Sequence, residues 1–182
     1  ILEYYKGVFA AIVVICIIIS IGVQMFQNSQ LKSLLSIAVV DSNYNHDEQV
    51  EALQNDFLAY AGTGDKHEVV DVDTSLLSGD DYNAVVKMTV VMGAGTADMM
   101  FCGEETYKKY KQQEAFLSWK EVLGDDYSKY EEYMTDDGRL DLEKCPNWEK
   151  YNMVYYSPVY AVVMSSSKNL ENCIKFLEMM VQ

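Results

Sequence analysis

The chain has 182 residues, with 14 basic against 28 acidic side chains, a net charge of −14, and 14 tyrosines. Such an acidic surface repels DNA, RNA and anionic lipid headgroups, which disfavours a nucleic-acid role. The tyrosine content argues against a disordered acidic tail, and the length suits one folded domain plus a short accessory segment.

The first element is apolar. From Gly7 to Val23 there is no charged residue, and the run is rich in isoleucine and valine. With Met25 and Phe26 it reaches about 20 residues, the length that spans ~30 Å of hydrocarbon. Tyr4 and Tyr5 stand where an interfacial aromatic belt would. A cleaved signal peptide fits less well, because its apolar region is shorter and ends in a small-x-small site. Residues 1–26 are therefore predicted to be a single-pass transmembrane anchor, residues 27–33 a polar stalk, and residues 34–182 the folded domain. Lys6 and Lys32 flank the run on either side, so charge barely decides its orientation.

The domain then alternates. Leu34 to Asp41 reads as a buried strand, and Ser42 to Asn45 as its loop. A helix is predicted from Asp47 to Ala61, with Val50, Leu53, Phe57 and Leu58 inward, and Gly62 to Asp65 break it. His67 to Thr74 is a second strand, and a helix follows from Asp81 to Met92. Gly93 to Thr96 is a turn, Ala97 to Cys102 a third strand, and Glu104 to Gln113 a third helix. Glu114 to Tyr151 is irregular. Val154 to Met164 is extended, with Pro158 interrupting it, and Asn169 is placed to cap a last helix. Buried strands alternating with amphipathic helices predict a three-layer α/β domain with a mostly parallel sheet.

Ligands of open α/β sheets meet the carboxyl ends of the strands. Here those ends offer Asp41, Ser42, Asn43 and Tyr44, then Asp73 and Thr74, then Glu104, while Trp119, Trp148 or Tyr156 supply a face for stacking on a sugar or peptide. The same residue types also serve as ordinary turn and cap residues. Asp41, Asn43 and Asn45 mimic the opening of a calcium loop, but His46 and Ala52 stand where glycine and glutamate are needed. The two histidines, His46 and His67, belong to no nucleophile elbow and no zinc-helix motif, so no enzyme is expected. No phosphate loop is present either: Gly93-Ala94-Gly95 precedes a strand, where a dinucleotide fingerprint follows one. No cofactor or metal is expected. Of the four cysteines, Cys173 shares a helical stripe with Phe176, Leu177 and Met180, and Cys102 and Cys145 are either small buried hydrophobes or a disulfide pair. Tyrosines at helical spacing in the second half read as packed faces, some of them open to a partner.

Two segments carry a family resemblance. Val90-Val91-Met92-Gly93-Ala94-Gly95-Thr96-Ala97-Asp98-Met99-Met100 resembles the helix–turn–strand of extracellular solute-binding proteins of ABC transporters. Pro158 to Met180, with Ser165-Ser166-Ser167-Lys168-Asn169 before a helix holding Phe176-Leu177, is similar to a later stretch of the same family, and Ala115 to Leu123 looks like its loop after the third strand. The resemblance implies one lobe of a type II periplasmic-binding-protein fold, since family members have two lobes and about twice this length. With the predicted anchor holding the domain at the cell membrane, the resemblance implies that it faces the extracytoplasmic side. It further implies a non-enzymatic, tethered accessory domain acting by protein or weak ligand contact near an ABC transporter or sensor membrane protein. The alternative is a true sugar- or peptide-binding protein completed by a partner or a homodimer.

Overall fold

A computed structural model describes residues 11–23 and 30–182. The chain forms two compact units, Ile1–Lys32 and Ser33–Gln182.

In the first unit, residues 11–23 form helix α1, with Ile12, Ile15 and Ile18 exposed. Among the described residues no helix is long and apolar enough to cross a membrane. This overturns the expected single-pass anchor and the cell-membrane location drawn from it. The physical reason is length: the described helical stretch, residues 11–23, is shorter than the roughly 20 residues that a bilayer core requires. The rest of the expected span, residues 1–10 and 24–26, and residues 27–29 of the expected stalk lie outside the described residues.

From Lys32 onward the chain runs β1 (Lys32–Val40), α2 (Asp47–Ala61), β2 (Glu68–Leu76), α3 (Tyr82–Ala94), β3 (Met99–Cys102) and α4 (Glu104–Lys111). It continues through β4 (Phe116–Leu117), α5 (Trp119–Leu123), β5 (Leu140–Asp141), α6 (Trp148–Tyr151), β6 (Tyr160–Met164) and α7 (Leu170–Val181), with short 3-10 turns between α5 and α6. One six-stranded sheet has the order β2-β1-β3-β6-β4, with β5 also paired to β6.

β1 and β3 are parallel, but β6 is antiparallel to β3, β4 and β5. The sheet is therefore mixed, not mostly parallel. The apolar run of β6 carries no mark of direction. Direction comes from where the chain re-enters: Tyr160 pairs with Cys102, so β6 starts beside the carboxyl end of β3 and runs back along it. The far edge of β6 is shared. Phe116 and Leu117 pair with Met164 and Val163, while Leu140 and Asp141 pair with Ala161 and Tyr160. Strands this short give no periodic signal, which is why this stretch reads as irregular in sequence.

Alternation along the strands fills two cores. Ile37, Val39, Met99, Phe101, Ala161 and Val163 face one side, against Leu53 and Phe57 of α2 and Phe176 and Leu177 of α7. Ala38, Val40, Met100, Cys102, Val162 and Met164 face the other, against Met88 and Val91 of α3 and Tyr107 and Tyr110 of α4. The result is the three-layer α/β arrangement that period-2 strands with helices on both faces produce. In the first core the ring of Phe101 lies 5.7 Å from both Phe176 and Trp148.

The ends of α3 are well specified. Asp81 accepts hydrogen bonds from the amides of Asn83 and Ala84, and Gly95 closes the helix at φ 62°. A Cβ on Gly95 would also come within 3.3 Å of Ser166. α7 starts differently from expectation: the Asn169 side chain makes no cap. Its amide donates instead to Asp98 at 3.0 Å.

Candidate functional site

The carboxyl ends of β1 and β2 meet through backbone and side chain. The Asp41 amide donates to the Leu76 carbonyl at 2.9 Å, and the Ser42 hydroxyl to the Thr74 carbonyl at 2.8 Å. Asp41 is held at φ 51°, a left-handed conformation that aspartate tolerates, and its carboxylate accepts the Ser78 amide at 3.0 Å. Asn43 donates its amide to the Met153 carbonyl at 2.8 Å and accepts the Asn45 amide at 3.1 Å. The Tyr44 amide donates to the Tyr155 hydroxyl at 2.9 Å, yet the Tyr44 side chain is 94% exposed.

Two hollows share Asp41. One, of about 440 Å³, is lined by Ser42, Asn43, Tyr44, Thr74, Leu77 and Tyr155 among others. The second, of about 290 Å³, is lined by Ser78, Gly103, Glu104, Tyr156 and Pro158. Tyr156 forms a wall of the second hollow. Its ring lies so close to Gly103 that a Cβ there would sit 3.2 Å from it. Its hydroxyl donates to the Val40 carbonyl at 2.9 Å, and burial pushes its ionisation far above the usual tyrosine range.

The remaining expected residues lie elsewhere or are occupied. Asp73 accepts from the amide of Ser75 at 2.9 Å and lines a separate 100 Å³ hollow with Asp71 and Val91. Trp119 is buried in the core, and its indole N–H donates to the Ala161 carbonyl at 2.8 Å. Glu104 is ion-paired with Arg139, and with Lys108 at 3.1 Å.

Arg139 was not singled out by sequence reasoning, although it is the only arginine in the chain. It is 9% exposed. Its guanidinium lies between two rings, 4.3 Å from the centre of Tyr107 and 4.0 Å from that of Tyr160. Its Nε donates to Asp137 at 2.8 Å. Burial alone would raise the Asp137 carboxyl, but hydrogen bonds from Arg139, Thr135 and Lys111 outweigh it and hold the group at about 2. The signal available in the sequence was a lone arginine directly after the Asp136-Asp137-Gly138 turn, in a segment without periodicity. A broad groove of about 860 Å³ opens beside this cluster, lined by Tyr107, Lys111, Phe116, Glu121 and Asp137.

The acid–base inventory is plain. His67 pairs with Asp65 at 3.0 Å, and the His46 ring contacts the Asn43 carbonyl. Among the described residues no group of three His, Cys, Asp or Glu side chains comes together to hold a metal. Cys102, Cys145 and Cys173 are free and buried rather than paired in a disulfide, and burial pushes each thiol up to about 12.

The resemblance motifs meet at Asp98. Its carboxylate accepts the Ser36 amide at 3.0 Å, the Ser167 hydroxyl at 2.8 Å and the Asn169 side-chain amide at 3.0 Å. Comparison with protein-family models and with curated protein sequences returns no match to this chain.

Proposed function

We propose that the Ser33–Gln182 unit is a non-catalytic contact domain, a one-lobe relative of solute-binding proteins, that engages a partner protein through its carboxyl-end face. The observation that carries this reading is the division of labour among the strand-end residues. Their polar groups are spent internally: Asp41 on Ser78, Ser42 on Thr74, and Glu104 on Arg139. The large side chains left facing solvent around the larger hollow are Tyr44, Leu77 and Tyr155, with Leu77 58% and Tyr155 69% exposed. Aromatic and large apolar side chains ringed by polar ones are what partner surfaces use, whereas a solute pocket needs free, converging polar groups.

The relationship to solute-binding proteins is supported by the placement of the two resembling segments. The two are neighbours in the fold: Ser167 and Asn169 of one hydrogen-bond to Asp98 of the other. The partner class that this relationship suggests is a transporter or a sensor protein.

The reading is tested with a photo-crosslinking amino acid placed at Tyr44 and at Leu77 of the full chain in cells, with Lys120 as control. The same higher-mass adduct is expected from both strand-end positions and not from the control, and Tyr155→Ala should weaken it. Thermal-shift measurement with sugars, amino acids and short peptides should leave the protein unmoved. A ligand at a hundred times its Kd stabilises by about 2.7 kcal/mol, so a clear shift with any of them would replace partner contact by solute capture.

A further inference from the structure

At the amino ends of β1 and β3, opposite to the strand-end face, a hollow of about 360 Å³ opens between three segments. Its walls are Ser33 and Ser36 of β1, Gly95 and Thr96 of the turn after α3, and Ser166 and Lys168 of the loop between β6 and α7. The Ser166 hydroxyl oxygen is buried and has no hydrogen-bond partner. Buried polar atoms left unpaired are uncommon, and one in the wall of a hollow points to an acceptor taken up there. Gly95 keeps the space beside that oxygen open, since a Cβ on Gly95 would lie 3.4 Å from it. A ligand oxygen entering this space comes within reach of the hydroxyl. Ser33 and Ser36 add to the supply of donors. Their hydroxyls share one bond at 2.9 Å, which uses one of their two hydrogens and leaves the other to donate.

We propose that this hollow is a binding site for a phosphate group. Lys168 supplies the positive charge, and it is not held in an ion pair by any described residue. The hollow reaches Asn169, where α7 begins with no side-chain cap, so the positive end of the helix dipole, about half a unit charge, adds to the lysine. The acid in the first turn of α7, Glu171, is already drawn off by Lys175 at 2.8 Å. One carboxylate lines the hollow, that of Asp98. It is only 6% exposed, and its two oxygens are occupied by the Ser36 amide, the Ser167 hydroxyl and the Asn169 side-chain amide. The local balance is therefore positive in a chain whose net charge is −14, and the free groups are donors. They come from three sides, which suits the tetrahedral oxygens of a phosphate better than a planar carboxylate. With a single lysine the affinity is modest, in roughly the millimolar range for the bare ion. The hollow is larger than that ion, so a small organic phosphate fits as well. This site lies at the other end of the strands and does not depend on the contact proposed for Tyr44, Leu77 and Tyr155.

The test titrates the full, isotope-labelled chain with inorganic phosphate, glycerol 3-phosphate and acetate at fixed pH and ionic strength, and follows backbone amide resonances. Phosphate should shift the Gly95, Thr96 and Lys168 amides saturably. Lys168→Gln should weaken binding at least fivefold and Ser166→Ala at least threefold, while Lys120→Gln leaves it unchanged. Ser166→Ala should keep the wild-type Tm, because the hydroxyl it removes bonds nothing in the fold. Whichever of inorganic phosphate and glycerol 3-phosphate binds tighter identifies the source of the group. A wild type without saturable shifts at these amides up to 50 millimolar phosphate overturns the proposal. So does a Ser166→Ala or Lys168→Gln protein that binds phosphate as the wild type does, or acetate binding as tightly as phosphate.

Discussion

The guanidinium of Arg139 answers two carboxylates, Glu104 and Asp137, while lying between the rings of Tyr107 and Tyr160. Removing it leaves two acids facing each other beside a buried hole. Arg139→Ala is therefore expected to destabilise the fold by about 2–3 kcal/mol, and Arg139→Lys by less, because lysine keeps the charge but neither the fork nor the ring stacking. Urea unfolding of the three proteins checks the order. The same cluster predicts an acid limb. Asp137 is held at about 2, below its ordinary value, so its contribution is complete above pH ~4 and is lost as pH falls toward 2. Its carboxylate is one-third exposed, so the contribution is about 1 kcal/mol after solvent screening. Asp137→Asn should flatten the fall in stability between pH 4 and pH 2 while lowering stability at pH 7. A smaller effect is expected at Tyr156→Phe, about 1 kcal/mol by urea unfolding, since the Val40 carbonyl loses a buried donor.

Among the elements, α7 and β1 are tied to β3 by one side chain. Asp98 is buried and accepts from Ser36 on β1 and from Ser167 and Asn169 before α7. Asp98→Ala would leave three donors without a partner and should cost about 3 kcal/mol or more, measured as a drop in the urea midpoint. Asn169→Ala removes one donor and should cost about 1 kcal/mol. The sequence pattern placed Asn169 at the start of α7, where it stands, but as a tether rather than a cap. Local rules name residue types that suit a position; which partner they find depends on what the fold brings near. The capping box of α5, with Ser118 and Glu121, shows the opposite case, a purely local device resolved within four residues.

At the scale of the whole molecule, the buried thiols of the Ser33–Gln182 unit report on its integrity. Cys102, Cys145 and Cys173 lie in the two cores, and burial holds their thiols far from ionisation at neutral pH. A thiol reagent should label Cys16 alone in the native protein and all four cysteines after denaturation; rapid native labelling of more than one would show that the cores open readily.

The amino-acid sequence by itself determined most of the α/β order. β-Branched runs announced β1 and β2, the unbroken apolar stretch Met99 to Cys102 announced β3, acidic first turns announced α2 and α4, and the continuous apolar run Ile37 to Val40 announced a strand covered on both faces. These signals are local and repeat within a few residues. It also placed Asp41 at the end of a strand and Ser42 to Tyr44 in the loop after it; in the fold these four residues line one hollow. The tertiary structure alone decided the rest. The direction of β6 follows from where its chain re-enters the sheet, and the placement of Arg139 between Glu104 and Asp137 joins residues with no shared period. It moved Trp119 into the core and Asp73 to another hollow, because an indole and a carboxylate look alike in sequence whether they face solvent, a ligand or a neighbour. It also showed, among the described residues, no helix long and apolar enough to cross a membrane, since composition measures hydrophobicity while crossing a bilayer requires an unbroken helical length.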